Sequence, residues 1–128
     1  MDIKDIKILI CDDSFTSRKK LRDFIETLGC VNLFDAENGE EAVNQYKAIS
    51  PNIVFMDIVM PRMDGIEALK RILEYDSEAV VIMASSVGTQ AHLKAAIQAG
   101  AKDFLQKPLN AEQISSFIET YCNEGGDE

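Results

Sequence analysis

The sequence predicts a doubly wound α/β fold: a five-stranded parallel sheet with five helices on both faces. Short apolar runs alternate with segments of helical period along the whole chain. The alternation is strict, five βα units in a row, and parallel strands joined by helices require right-handed crossovers that cover both faces of the sheet. The run Ile53-Val54-Phe55-Met56 is apolar at every position, the pattern of a strand buried on both sides.

Each element has its own signal. Residues 7–11 form the first strand, and Leu21, Phe24, Ile25 and Leu28 then recur at helical spacing until Gly29 closes that helix. Residues 31–34 make a short second strand. Asn38-Gly39 turns into a second helix with Ala42, Val43, Tyr46 and Ile49 inward, and Pro51-Asn52 breaks it before the third strand at 53–56. Asp64, a helix cap before Gly65, opens a third helix facing inward through Ile66, Leu69, Ile72 and Leu73. Residues 79–84 are the fourth strand. A weakly patterned fourth helix follows, with Leu93, Ala96 and Ile97 inward and Gly100 at its end. Residues 103–106 are the fifth strand, and Asn110 with Gln113 reads as a capping box for a last helix carrying Ile114, Phe117, Ile118 and Tyr121.

The 128 residues suit one domain, spanning 1–128 with a core of about 5–121 and an acidic tail at 122–128. Thirteen basic against 22 acidic residues give a net charge of −9, which repels phosphate backbones and anionic lipid. Direct binding of nucleic acid or a membrane surface is not expected, and a cation or a basic protein face is. No apolar run reaches the roughly 20 residues of a membrane helix, and the first residues are no signal peptide, so a cytoplasmic protein is expected. Cys11, Cys30 and Cys122 are widely spaced, as in reduced thiols, with Cys11 buried in a strand. His92 is the one histidine, which leaves little for a zinc site or a nucleophile relay.

In open parallel sheets the ligand sits beyond the carboxyl ends of the strands, at a switch point. Asp12 and Asp13 end the first strand, Asp57 the third, Ser85 or Ser86 the fourth and Lys107 the fifth. In the strand order 2-1-3-4-5 the first and third strands are neighbours, and the three acids converge with Ser85 and Lys107 beside them. Asp35-Ala36-Glu37, ending the second strand, contributes nothing evident. Two such charges about 4 Å apart repel by roughly 4 kcal/mol at an effective dielectric near 20. Either one acid is protonated or a cation is bound. Oxygen-only donors suit a hard ion, and Mg²⁺ binds through one or two carboxylates together with waters and phosphate oxygens. A carboxylate nucleophile, a divalent cation, a lysine and a hydroxyl together describe phosphoryl transfer onto aspartate. Taken singly, these features also read as a solvated acidic pair, a Lys-Pro turn and a helix cap; four strand ends acting together argue for a site.

Ile8-Leu9-Ile10-Cys11-Asp12-Asp13-Ser14, Phe55-Met56-Asp57-Ile58-Val59-Met60-Pro61-Arg62-Met63-Asp64-Gly65, Met83-Ala84-Ser85-Ser86 and Lys102-Asp103-Phe104-Leu105-Gln106-Lys107-Pro108 carry a resemblance. In order and spacing they resemble the receiver domain of two-component response regulators, a flavodoxin-like fold, over about residues 5–121. With nothing beyond the fifth helix, the chain is similar to a stand-alone receiver of the chemotaxis CheY type.

The resemblance implies a phospho-accepting switch rather than a dedicated enzyme. Asp57 would accept a phosphoryl group from the phosphohistidine of a sensor histidine kinase or from a small donor such as acetyl phosphate, and lose it slowly. Asp13 would hold Mg²⁺ directly and Asp12 largely through water, with Asp57 and the Val59 backbone carbonyl completing the protein ligands. Lys107 would pair with Asp57 and then with the phosphoryl oxygens, Ser85 would move toward that group, and Phe104 would swing inward behind it. Lys107-Pro108 is a candidate cis peptide. The fourth helix, fifth strand and fifth helix would form the output surface for a flagellar-motor or kinase-associated target. A phosphatase is a further partner, and the chain would be a monomer or a phosphorylation-linked dimer. Phe104 stands where many chemotaxis receivers carry Tyr, which removes a polar readout. Val59 and Val87 lie two residues beyond Asp57 and Ser85, where polar side chains often sit near the attacking water, and apolar residues there favour a long-lived aspartyl phosphate. Alternatives are a phosphorelay intermediate serving a histidine phosphotransfer protein and, more remotely, a Mg²⁺-dependent phosphohydrolase. The latter usually carries a second acid where this chain has Val59. A flavodoxin-like cofactor binder lacks its phosphate-cradling loop here, since Asp12-Asp13 would repel the cofactor phosphate.

Overall fold

The computed structural model describes residues 1–86 and 90–125. Its element order is a 3-10 turn (Ile3–Asp5), β1 (Lys7–Cys11), α1 (Phe15–Thr27), β2 (Asn32–Ala36), α2 (Gly39–Ile49), β3 (Ile53–Asp57), α3 (Gly65–Tyr75), β4 (Val81–Ser85), α4 (Gln90–Gln98), β5 (Asp103–Gln106) and α5 (Ala111–Gly125). The five strands are parallel in the order β2-β1-β3-β4-β5, as the sequence predicts.

Alternation along each strand divides the interior into two layers. Leu9, Cys11, Val54, Met56, Val81 and Met83 point to one face and pack against Ala42, Val43 and Tyr46 of α2, Ala68, Leu69 and Ile72 of α3, and Ala96 of α4. Ile8, Ile10, Ile53, Phe55 and Ile82 point to the other, against Ile25 of α1 and Ile114 and Ile118 of α5. β3 is apolar at successive positions because both faces are covered.

Helix starts follow local chemistry. Ser14, Asn38, Asp64 and Asn110 accept backbone N–H bonds, from Ser17 (3.3 Å), Glu41 (2.8 Å), Glu67 (2.9 Å), and both Glu112 (2.8 Å) and Gln113 (3.2 Å). Each satisfies donors that an open helix end would leave unpaired. Gly29 closes its helix turn at φ 106°, a region that favours glycine.

Several boundaries differ from expectation. β2 begins at Asn32 and runs to Ala36, and Val31 is 71% exposed: β-branching suggested a strand where the edge has no layer to cover it. β4 begins at Val81, because the Ala79 N–H turns back to the Asp76 carbonyl (3.1 Å). α5 continues to Gly125, past the point where the sequence suggested an acidic tail, with Cys122 packed against the α1/α5 layer. α4 does not face inward through Leu93 and Ile97, which are 37% and 49% exposed; its small side, Ala96, meets the sheet instead. No described helix is long and apolar enough to cross a membrane.

At the start of α3 the helix nearly touches the strand that precedes it. The Gly65 N–H donates to the Ile58 carbonyl (2.8 Å), and a Cβ at Gly65 would overlap the carbonyl oxygen of Asp57. Backbone cannot yield as a flexible side chain does. Gly65→Ala is therefore expected to cost about 2 kcal/mol, in the range of core overpacking. Urea unfolding measures it; a midpoint equal to the wild type would contradict the overlap.

Candidate functional site

The site lies where β1, β3 and β5 end. Asp12 follows β1 and is buried, Asp13 beside it is exposed, and Asp57 is the last residue of β3 with a side chain 12% exposed. Because β1 and β3 are hydrogen-bonded neighbours in register (Cys11 opposite Met56), the loop after β1 meets the end of β3. One oxygen from each acid lies within 4.8 Å of the others. Among the described residues this is the grouping that could hold a metal ion. With three carboxylates and no His or Cys, the donor set fits a hard cation and not zinc.

Lys107 enters from the end of β5, where its N–H donates to the Ser85 carbonyl (2.9 Å). Its Nζ lies 2.5 Å from Asp12 Oδ2 and 3.6 Å from Asp57 Oδ2. The closer partner is thus Asp12, whereas the resemblance implies Asp57. Asp12 is the more buried acid and is already oriented, since its Oδ1 accepts the Ser14 N–H (2.9 Å). One ammonium spanning two carboxylates offsets part of their repulsion. Burial raises the Asp57 carboxyl above its ordinary range; Lys107 lowers it, and the charges of Asp12 and Asp13 raise it again. The site disfavours an ionised Asp57 in the absence of a cation.

Ser85 ends β4 and is fully buried, opposite Gln106 of β5, while the exposed Ser86 lines the open cleft. Val59 is exposed in the loop between β3 and α3. Phe104 is half-buried in β5, packed on the α2/α3/α4 layer opposite Met83. The Lys107–Pro108 peptide is cis. Val87 lies outside the described residues. A cleft of about 540 Å³ extends from Asp12, Asp57 and Lys107 toward the apolar side chains of Leu21, Phe24 and Ile114. Cys11 adjoins the site, but burial pushes its thiol well above the ordinary value, so it is a core residue and not a nucleophile.

Sequence reasoning passed over Arg18. Its side chain is 6% exposed, its Nη1 donates to the Asp12 carbonyl (2.7 Å), its Nε to Asp35 Oδ2 (3.2 Å) and its Nη2 to Glu37 Oε1 (3.5 Å). The end of β2, which looked uninvolved, therefore braces the site through Asp35 and Glu37. A signal existed: Arg18 stands three residues before Leu21 and seven before Ile25, on the inward stripe of α1, where a basic residue needs buried acceptors.

Comparison with known proteins gives the family. Residues 8–119 match the response regulator receiver domain model. The chain is 45% identical to the chemotaxis protein CheY of Bacillus subtilis, covering 91% of this chain and 98% of that one. It is 44% identical to the chemotaxis protein CheY of Thermotoga maritima, covering 84% and 90%. Among solved structures, it is similar to one titled as the CheX-CheY-BeF3-Mg+2 complex from Borrelia burgdorferi. The TM-score is 0.84 with 38% identity, over 90% of this chain and 87% of that one. The chain belongs to the response regulator receiver domain family, and within it resembles the CheY proteins.

Proposed function

We propose that the chain is a phospho-accepting signalling switch in which Asp57 takes a phosphoryl group from the phosphohistidine of a sensor kinase. The observation that carries this is the approach of Asp12, Asp13 and Asp57 within 4.8 Å beside a lysine, at the strand ends of a CheY-like receiver. An Asp57 oxygen attacks phosphorus, the P–N bond breaks, and the imidazole leaves with its electron pair. Asp13, Asp57 and the Val59 carbonyl, with Asp12 largely through water, would hold Mg²⁺, which would supply charge neutralisation for the incoming phosphate in an otherwise repulsive pocket. Lys107 is free to exchange its Asp12 contact for the phosphoryl oxygens, and the Ser85 hydroxyl donates a further bond. These bonds exist in the phosphorylated arrangement alone, so phosphorylation raises the population of the state in which Ser85 and Phe104 have moved.

The altered surface of α4, β5 and α5 then binds its target. The CheY relatives favour chemotaxis, with a flagellar-motor or kinase-associated target and a phosphatase as partners, in the cytoplasm. A phosphorelay would instead pass the group to a histidine phosphotransfer protein; a pull-down with and without phosphorylation separates the two.

Intact-protein mass after incubation with acetyl phosphate and Mg²⁺ tests the central step. One added phosphoryl mass is expected, absent without metal and absent in Asp57→Asn. No gain under any condition would sink the proposal.

The raised Asp57 carboxyl yields a stability prediction. Below pH 3.8 this group carries no penalty; as pH rises through its raised pKa the folded state loses stability, and the penalty is complete above that pKa. In chelator, Asp57→Asn should therefore be the more stable protein, by about 1 kcal/mol, or roughly 4 °C in Tm at this size. The advantage shrinks as pH falls toward 3.8. Thermal melts in EDTA across that range check the sign.

Val59 leaves no polar side chain two residues beyond Asp57 to orient an attacking water. The aspartyl phosphate should persist for minutes or longer, and Val59→Asn should shorten its lifetime about tenfold, the equivalent of about 1.4 kcal/mol in barrier. Loss of the phosphoryl mass with time reads both values; a wild-type lifetime of seconds, unchanged by the substitution, would refute the role.

A further inference from the structure

Asp12 is held on every side. Its N–H donates to the Ala36 carbonyl (3.1 Å), Oδ1 accepts from Ser14 N–H (2.9 Å) and Oδ2 from Lys107 Nζ (2.5 Å). Its carbonyl faces the same side and lies beyond the last β1–β2 partners, Cys11 and Ala36, where the ladder has ended. A buried carbonyl in that position needs a donor, and the donor is Arg18 Nη1 at 2.7 Å.

We propose that Arg18 is a positioning residue for the cation site: by fixing the Asp12 carbonyl against the end of β2, it sets how the Asp12 and Asp13 carboxylates face the ion. The inference rests on the reading above that these acids hold Mg²⁺. The planar guanidinium is suited to the task because its three nitrogens reach three acceptors: Asp12 O, Asp35 Oδ2 and Glu37 Oε1. The two acidic partners also keep its positive charge out of the pocket. They hold the head group on the β2 side, where it touches the Asp12 main chain and not the carboxylates that would bind metal. Arg22 provides an internal comparison. It reaches the same Asp35 (2.5 Å) and Glu26 (3.8 Å), and no bond links it to Asp12.

Calorimetric titration of the metal-free protein with MgCl₂ tests this, with far-UV circular dichroism reporting the fold of each variant. Arg18→Met keeps the apolar stem and is expected to weaken Mg²⁺ about tenfold, the lower end for loss of a group that orients metal ligands. Arg18→Lys is expected to lose about threefold, since an ammonium reaches one of these acceptors without the planar fork. Arg22→Met is expected to bind Mg²⁺ as the wild type does, despite losing its pair with Asp35. Wild-type affinity in folded Arg18→Met overturns the proposal, and so does wild-type affinity in Arg18→Lys whether or not the Met variant folds. An equal loss in Arg22→Met would make the effect one of general support at the α1–β2 edge and overturn it too. Absence of Mg²⁺ binding by the wild type would remove the metal reading itself, and this inference with it.

Discussion

Three carboxylates whose oxygens approach within 4.8 Å are the constraint around which the rest of this molecule is arranged. Left alone they would drive the ends of β1 and β3 apart, at a cost of several kcal/mol by simple Coulomb arithmetic. The fold resists in two ways. Lys107 places a positive charge between Asp12 and Asp57, and Asp12 is bonded through its N–H, its carbonyl and both carboxylate oxygens. The repulsion that remains falls on Asp57, the residue whose carboxyl is pushed upward. An acid held ready to lose its charge to a covalent partner or share it with a cation is a sensible place for chemistry.

The sheet makes this strain tolerable. β3 carries Asp57 at its tip and is buried on both faces, its side chains alternating between the α2/α3/α4 layer and the α1/α5 layer. Gly65 lets α3 start against the Asp57 carbonyl, so the strand end has no room to relax outward. Burying several large apolar side chains at roughly 1.5–3 kcal/mol each can outweigh one repulsive contact.

Sequence made most of this legible, for identifiable reasons. Strict alternation of strand and helix leaves few topologies, and polar residues at strand ends stand out against apolar runs, so Asp12, Asp13, Asp57, Ser85 and Lys107 could be placed at one end of the sheet. What escaped depended on pairing between distant residues. Arg18 reads as one more helical charge until Asp35 and Glu37 are known to lie beside it. That Lys107 lies nearer Asp12 than Asp57 turns on about an ångström of side-chain placement, which no pattern encodes. Leu93 and Ile97 looked like an inward stripe, yet α4 lies on its alanines, because closeness to the sheet can favour a small residue over a large one.

That last departure bears on how such a site could signal. α3 is anchored by Ala68, Leu69 and Ile72, all fully buried, whereas α4 buries Ala96 and leaves its two larger apolar side chains partly in solvent. Leu93 and Ile97 each keep about half of that burial, so at about 1.5–3 kcal/mol for a fully buried large side chain α3 is held more firmly than α4 by roughly 1–3 kcal/mol. Two charge-assisted hydrogen bonds from a phosphoryl group, at about 1.5–3 kcal/mol each, are worth roughly 3–6 kcal/mol. Inverting a 1:99 equilibrium takes about 5.5 kcal/mol. Energy of that size acts more easily on an element held by one buried alanine and two partly buried side chains than on one held by a fully buried leucine and isoleucine. The switch proposed for Asp57 therefore works most readily through a loosely seated element, and α4, which follows the strand that Ser85 ends, is seated that way.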